Sequence, residues 1–281
     1  WLIDQKNGGE FLAFLRQRGV PVFSSPRECA RALGALARTP APRPGVPPIG
    51  PSRAPVLVDF PPDLTEYDAK RALKAYGVPI PREILCLTFA EARSAAAELG
   101  YPVALKVMSP AIPHKTEAGV VALGLKNEEE LMNAYGRLRE RAERFVPGAP
   151  IQGLLVQEMV EGGVECFVGV KRDPLFGPMV AVGLGGIYVE VFRDVVLRRA
   201  PVTPQEGEEM VRSLRGYPLL AGVRGQGPRD VEALGRLIGA VSDFACGEKD
   251  LLELDVNPVM VRGKGRGVVA VDALMTKGGR S

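Results

Sequence analysis

Polar and apolar residues along this chain follow two periods. A helical period sets Leu64, Tyr67, Ala72, Leu73 and Tyr76 roughly on one face and Lys70 and Lys74 on another, which predicts an amphipathic helix over 63–76 with Gly77 as its left-handed cap. Helices are likewise expected at 89–99 behind the cap Thr88, at 127–145, at 204–214 and at 229–245. Short β-branched and apolar runs predict strands at 84–87, 102–107, 120–125, 153–157, 165–172, 178–182, 251–256 and 267–272, with 153–157, 165–172 and 178–182 as an antiparallel run. Ahead of these, 11–18 reads as a helix, 20–23 as a strand and 26–37 as a helix, with Ser25 as N-cap and Glu28 completing a capping box. No internal repeat is visible.

Between 39 and 55 the chain reads TPAPRPGVPPIGPSRAP, a composition that removes backbone donors and favours extended conformations, hence an interdomain linker. The expected organisation is a remnant of an α/β domain over 1–38, a proline-rich linker over 39–62 and an α/β (α+β) domain over 63–281, divided at 63–154 and 155–276. A chain that opens on Trp1 is expected to be a fragment.

Composition changes this picture little. With 46% apolar residues a 281-residue chain can bury a core, and a net charge of +3 without like-charge blocks points away from nucleic acid and membrane surfaces. Cys29, Cys86, Cys166 and Cys246 lack metal-site or disulfide spacing, which leaves buried thiols in a reducing cytosol. No apolar run is long enough to span a bilayer, and a cytoplasmic setting is expected.

The candidate chemistry centres on the only histidine, His114, in the loop SPAIPHKTEAG at 109–119. A lone loop histidine is commonly idle. Here a neutral imidazole beside Lys115 and Thr116 has the chemistry to attack a phosphoryl group and release it again as a phosphohistidine, with Lys115 neutralising charge and Thr116 donating to an oxygen. Lys106 lies within an apolar strand beside Ala104 and Met108, where its ammonium needs either an anion such as phosphate or a path to solvent at the strand end. Glu158, Glu161 and Glu165 flank a turn where backbone groups can pair with an adenine edge and a carboxylate with ribose, though a plain hairpin with exposed acids fits as well. Gly183, Gly185 and Gly186 ahead of Glu190 and Arg193 suit either a close ligand approach or a tight turn. Asp255 and Asn257 stand opposite Asp272 if their strands pair antiparallel; Asn257 and Asp272 then offer hard oxygens for Mg²⁺, or serve only as strand-terminal turn formers.

These stretches together resemble the ATP-grasp part of the NDP-forming acyl-CoA synthetases, that is, acetate–CoA ligase (ADP-forming) and its relatives in the succinyl-CoA synthetase superfamily. The resemblance runs through TEYDAKRALKAYGVPIP at 65–81, YPVALKV at 101–107, the His114 loop, VQEMV at 156–160, VKRDPLFGP at 170–178, GLGGIYVEV at 183–191, YPLLAGVRG at 217–225 and ELDVNP at 253–258. GVPVFSSPRECARAL at 19–33 is similar to the tail of a flavodoxin-like CoA-ligase domain. It implies an ATP-grasp fold of two α/β subdomains, with Lys106, Lys115 and Thr116 at the phosphates of ATP or ADP, Glu158 and Met159 at adenine and ribose, and Glu165 lining the nucleotide pocket. It further implies Asn257 and Asp272 as Mg²⁺ ligands, Asp255 near the phosphoryl acceptor and His114 as a relay. CoA would be used by the complete enzyme, through CoA-binding and CoA-ligase domains upstream in the same chain or in a separate subunit of an oligomer.

Two departures stand out. Val120 replaces a second glycine after Gly119, so the loop is expected to close differently over phosphate, and Glu117 replaces an aspartate. A competing reading is the ligand-sensing, synthetase-like module of a protein lysine acetyltransferase, against which the set His114, Lys106, Asn257 and Asp272 argues. A carboxylate–amine ligase of ATP-grasp type leaves His114 without a role.

Overall fold

The computed structural model describes residues 9–23, 25–38, 60, 64–186, 194–223 and 227–278. Of the linker expected over 39–62 only Phe60 is among them, and the stretch carrying Glu190 and Arg193 lies outside them. The chain divides into two compact units, Trp1–Ile49 and Gly50–Ser281. The first contains helices α1 (Gly9–Gln17) and α2 (Pro26–Arg38), the latter opened by a hydrogen bond from the Glu28 amide to Ser25 Oγ at 3.2 Å. Residues 20–23 form no strand there, because a strand needs a partner edge and the described residues of this unit supply none.

The second unit holds two antiparallel sheets. In the first, β1 (Glu83–Cys86), β4 (Gly153–Glu158), β2 (Val103–Met108) and β3 (Val121–Leu125) lie side by side in that order. Helices α4 (Phe89–Leu99) and α5 (Glu128–Phe145), capped by Thr88 and Asn127, cover one face and bury Val103, Leu105 and Val107. The period of two then turns Ala104, Lys106 and Met108 to the other face, yet all six residues of β2 are buried. Something must therefore cover that second face, and it falls to α3 (Glu66–Ala75) to do so with charged side chains.

The second sheet has the order β10 (Ala273–Lys277), β8 (Leu251–Val261), β5 (Val164–Asp173), β6 (Gly177–Leu184) and β7 (Val195–Arg199), with β9 (Val268–Ala270) paired to the end of β8. Helices α6 (Pro204–Arg212), α7 (Pro218–Ala221) and α8 (Val231–Gly247) pack on one face, over Val168, Val170, Val180, Val182, Leu254 and Val256. α3 precedes the first sheet in the chain but buries Ala69, Ala72 and Leu73, together with its C-cap Tyr76, in this second core, where Tyr76 meets Phe244 edge-on at 5.2 Å. It is thus anchored to one sheet while its first turn reaches the other. The run expected as one strand over 267–272 is instead broken at Val271 and Asp272, which sit between β9 and β10 and face the site.

Of the four cysteines, Cys86 and Cys166 are buried and Cys29 and Cys246 only half-buried, all as free thiols. The expectation of four buried thiols is corrected to two. Burial pushes the Cys86 thiol up to about 11 and the Cys166 thiol up to about 12, with Glu91 and Glu165 adding to the effect, so neither is a nucleophile at neutral pH. Among the described residues no helix is long and apolar enough to cross a membrane.

Candidate functional site

The floor of the site is a network of buried charges. Glu66 in the first turn of α3 receives Lys106 Nζ from β2 and Lys70 Nζ from its own helix, each at 2.6 Å from Oε1, and Lys115 Nζ from the His114 loop at 3.1 Å from Oε2. Lys70 also pairs with Glu83 on β1, and Lys115 lies 3.6 Å from Asp272 Oδ1. The backbone oxygen of Val271 accepts from Lys70, Lys106 and Gln157 Nε2 at 3.3, 3.2 and 3.2 Å. Three ammonium groups thereby face three carboxylates, a balance that makes their burial tolerable.

Burial by itself favours neutral Glu66, but Lys106, Lys70 and Lys115 outweigh it and hold the carboxyl well below the usual carboxylate range. Burial likewise opposes the charge on Lys70, and Glu66 and Glu83 reverse that and raise its pKa. For Asp272 burial wins, reinforced by the Glu66 carboxylate, and its pKa is raised. A carboxyl held ionised by the fold adds stability above its ordinary value of 4.5 and loses it as the pH falls below that value. The urea midpoint is expected to drop between pH 6 and pH 3, with Glu66 contributing on the order of 2 kcal/mol to the fall. Chemical unfolding of wild type and Glu66→Gln across that range checks this, since the slope should flatten in the variant.

The loop from Ser109 to Val120 is held at both ends. Ile112 is buried and its amide bonds to Ser109 O at 3.1 Å, while turns of the chain bond the amides of Ala118, Gly119 and Val120 to the carbonyls of His114, Thr116 and Lys115 at 3.2, 3.1 and 3.0 Å. Gly119 takes the positive φ of 65° that the turn requires. Val120 follows as a fully buried core residue whose carbonyl accepts from Val107 at 3.1 Å, so no positive φ falls on the valine and the loop closes with the side chain as a plug. The outcome is an alternation: Lys115 points inward to the charge network while His114, Thr116 and Glu117 are exposed.

Opposite the loop, the period of two along β8 places Glu253, Asp255 and Asn257 on the face away from the helices. Partial burial raises the pKa of Asp255 most, offset in part by a hydrogen bond from the Asn257 side chain and, least, by the charge of His114. The Asn257 amide donates to Asp272 O at 3.1 Å, as antiparallel pairing would have it. No group of three or more His, Cys, Asp or Glu among the described residues is arranged to hold a metal. Asn257 and Asp272 instead offer two hard oxygens, a set that fits Mg²⁺ when the remaining positions are filled by phosphate oxygens and water.

Glu158, Met159 and Glu165 lie where the chain passes from the first sheet to the second, and among the described residues no side-chain hydrogen bond or ion pair joins them to the charge network. Glu158 follows Gln157 on β4 but faces away from it, gripped by Arg82 through its amide and Nε, both at 2.9 Å. Met159 is half-buried and Glu161 exposed. At Gly163, with φ of 115°, a Cβ would stand 2.9 Å from Val261 O, so the turn into β5 admits only glycine. Glu165 is exposed, and its carbonyl accepts from the Gly185 amide at 2.7 Å, which draws the glycine segment against it. Sequence reading missed Glu66, Lys70, Glu83, Gln157 and the Val271 carbonyl. The spacing of Glu66 and Lys70, four apart, is itself a signal, but one shared with every solvated helix pair.

The family model described as ATP-grasp domain matches residues 62–276. Acetate–CoA ligase [ADP-forming] II subunit beta of Pyrococcus furiosus is 45% identical over 211 residues, 75% of this chain and 89% of that protein. 4-Hydroxybutyrate–CoA ligase [ADP-forming] of Nitrosopumilus maritimus is 43% identical over the same length of 211 residues, and there the match spans 30% of the longer protein. Among solved structures, dinucleotide forming acetyl-coenzyme A synthetase 1 of Ca. Korarchaeum cryptofilum, in complex with coenzyme A, Ca-AMPCP and HgCl+, gives a TM-score of 0.74 at 40% identity, covering 76% of this chain and 93% of that one. A second structure of that protein, with coenzyme A and Mg-AMPPCP and its phosphohistidine segment pointing towards the nucleotide binding site, gives 0.66 at 37% identity over 76% and 92% of the two chains. A shared ATP-grasp domain and this degree of identity across nearly the whole of a beta subunit mean that the chain belongs to the ATP-grasp, beta-subunit family of the ADP-forming acetate–CoA ligases.

Proposed function

We propose that this chain is the nucleotide-binding, phosphoryl-transferring part of an ADP-forming acyl-CoA synthetase, interconverting acid, CoA and ATP with acyl-CoA, ADP and phosphate. The observation that carries the reading is the loop in which Lys115 is locked into the buried charge network with Glu66 and Asp272 while the adjacent His114 stands exposed. In this reading Lys106 and Lys115 grip the nucleotide phosphates, Thr116 donates to an oxygen, Glu158 and Met159 receive ribose and adenine, and Glu165 lines the pocket.

Neutral His114 attacks the terminal phosphorus of ATP with a ring nitrogen; the N–P bond forms as the P–O bond to ADP breaks, and ADP leaves with that electron pair. Asp255, whose carboxylate acts on His114 through its charge rather than through a hydrogen bond, offsets the positive charge that grows on the imidazole. The reverse step makes ATP. Mg²⁺ held by Asn257 and Asp272 would supply positive charge against the phosphate oxygens. Glu158 gives up Arg82 in exchange for the ribose hydroxyls, an exposed pair whose loss costs little.

CoA chemistry falls to CoA-binding and CoA-ligase domains, upstream in the same chain or in a partner subunit, and the segment up to residue 38 reads as the tail of the latter. Residues 63–281 form the ATP-grasp part, and the setting is the cytoplasm. The test is release of free CoA by the full-length protein, with its partner subunit if there is one, from a panel of acyl-CoA thioesters. Release should require both ADP and phosphate, and ATP should appear in equal amount. Thioester cleavage indifferent to ADP, or none across the panel, would contradict the proposal.

A further inference from the structure

Lys106 and Lys115 are fully engaged before any nucleotide arrives. Glu66 occupies Lys106 at 2.6 Å and Lys115 at 3.1 Å, and with Lys70, Glu83 and Asp272 the network is neutral as it stands. Resting on the nucleotide reading above, phosphates that take these two lysines bring further negative charge beside a carboxylate that already holds them. Like charges cannot share the two ammoniums at that range in a dry site, so Glu66 has to let go.

Its position suits release. Oε2, the oxygen facing Lys115, is buried and accepts no hydrogen bond among the described residues, so that contact is an ion pair without a directional bond. Oε1 keeps Lys70 at 2.6 Å, one helical turn away on the same rigid helix, and Lys70 itself is steadied by Glu83 and by Val271 O. Release of the loop and strand lysines therefore leaves Glu66 paired. When phosphate departs, Glu66 returns, and neither Lys106 nor Lys115 is stranded as a buried charge without a partner.

We propose that Glu66 is an exchangeable internal counter-ion of the phosphate site: it stands in for phosphate on Lys106 and Lys115 in the empty protein and retreats to Lys70 when nucleotide binds. Glu66 is thus a positioning residue, and Lys70 sets how tightly it competes. The two residues should then shift ADP affinity in opposite directions although neither touches the nucleotide. Calorimetric titration of the full-length protein with ADP and Mg²⁺ reads this directly. Glu66→Gln removes the competitor and should tighten ADP binding about tenfold; Lys70→Met leaves Glu66 to the phosphate lysines alone and should weaken it about tenfold.

A purely structural network would instead weaken binding in both variants or alter it in neither, and either result overturns the proposal. Wild-type protein that binds no ADP would overturn the nucleotide reading as well, which separates the two failures. Should the variants fail to fold, the carboxyl ¹³C resonance of Glu66 in the wild type is followed during ADP titration. It should move as the partner lysines change, and an unmoved resonance in protein that binds ADP contradicts the exchange.

Discussion

His114→Ala is expected to lower acyl-CoA-dependent ATP formation at least about 10⁴-fold while leaving ADP affinity within a few-fold of wild type, because removing a covalent nucleophile deletes a step that no neighbour can supply. The separation follows from the geometry of the loop. His114 is exposed and takes no part in the lysine–carboxylate network, whereas Lys115, one residue on, is buried in it. Truncating the imidazole therefore leaves the phosphate grip as it was. Turnover and ADP calorimetry on the same preparation check the pair of results. A parallel loss of affinity would make His114 a binding residue and remove the relay.

The second large effect is expected at Lys106. Lys106→Ala should cost on the order of 100-fold in ADP affinity, the worth of a charge-assisted bond to phosphate in a site with little water. The fold should survive, because Glu66 retains Lys70 at 2.6 Å and Lys115 at 3.1 Å. Calorimetry for affinity and urea unfolding for stability, on one sample, distinguish this from collapse of the network. Unchanged affinity would place the phosphates elsewhere.

The contrast between Lys106 and Lys70 shows what the sequence makes legible. Lys106 announces itself because a lysine inside the apolar run Val103–Met108 is anomalous, and the structure finds it buried and paired. Lys70 does not, because a helix with polar residues on one face is ordinary. Its burial follows only from α3 being clamped between a core on one sheet and the open face of the other, which no local window of sequence contains. The same distance limit hides Glu66, whose partners Lys106 and Lys115 lie 40 or more residues away.

The helices and most strands could be read because caps such as Thr88 and the alternation in β8 are local signals. β7 could not, because Val195, Leu197 and Arg199 face outward at an edge and break the alternation that marks a half-buried strand. The departure at Val120 resolves for a physical reason: a single glycine bears the positive φ, and the valine fills the core instead.

The central claim is that phosphate passes between nucleotide and His114. The most direct measurement is incubation of the full-length protein with Mg²⁺ and ATP labelled at the terminal phosphate, followed by peptide mapping of protein-bound label that is stable to base and labile to acid. Label confined to the peptide carrying His114, and discharged to ATP on adding ADP, is the predicted result. Tight ATP binding with no such label, or label on any other residue, would contradict it.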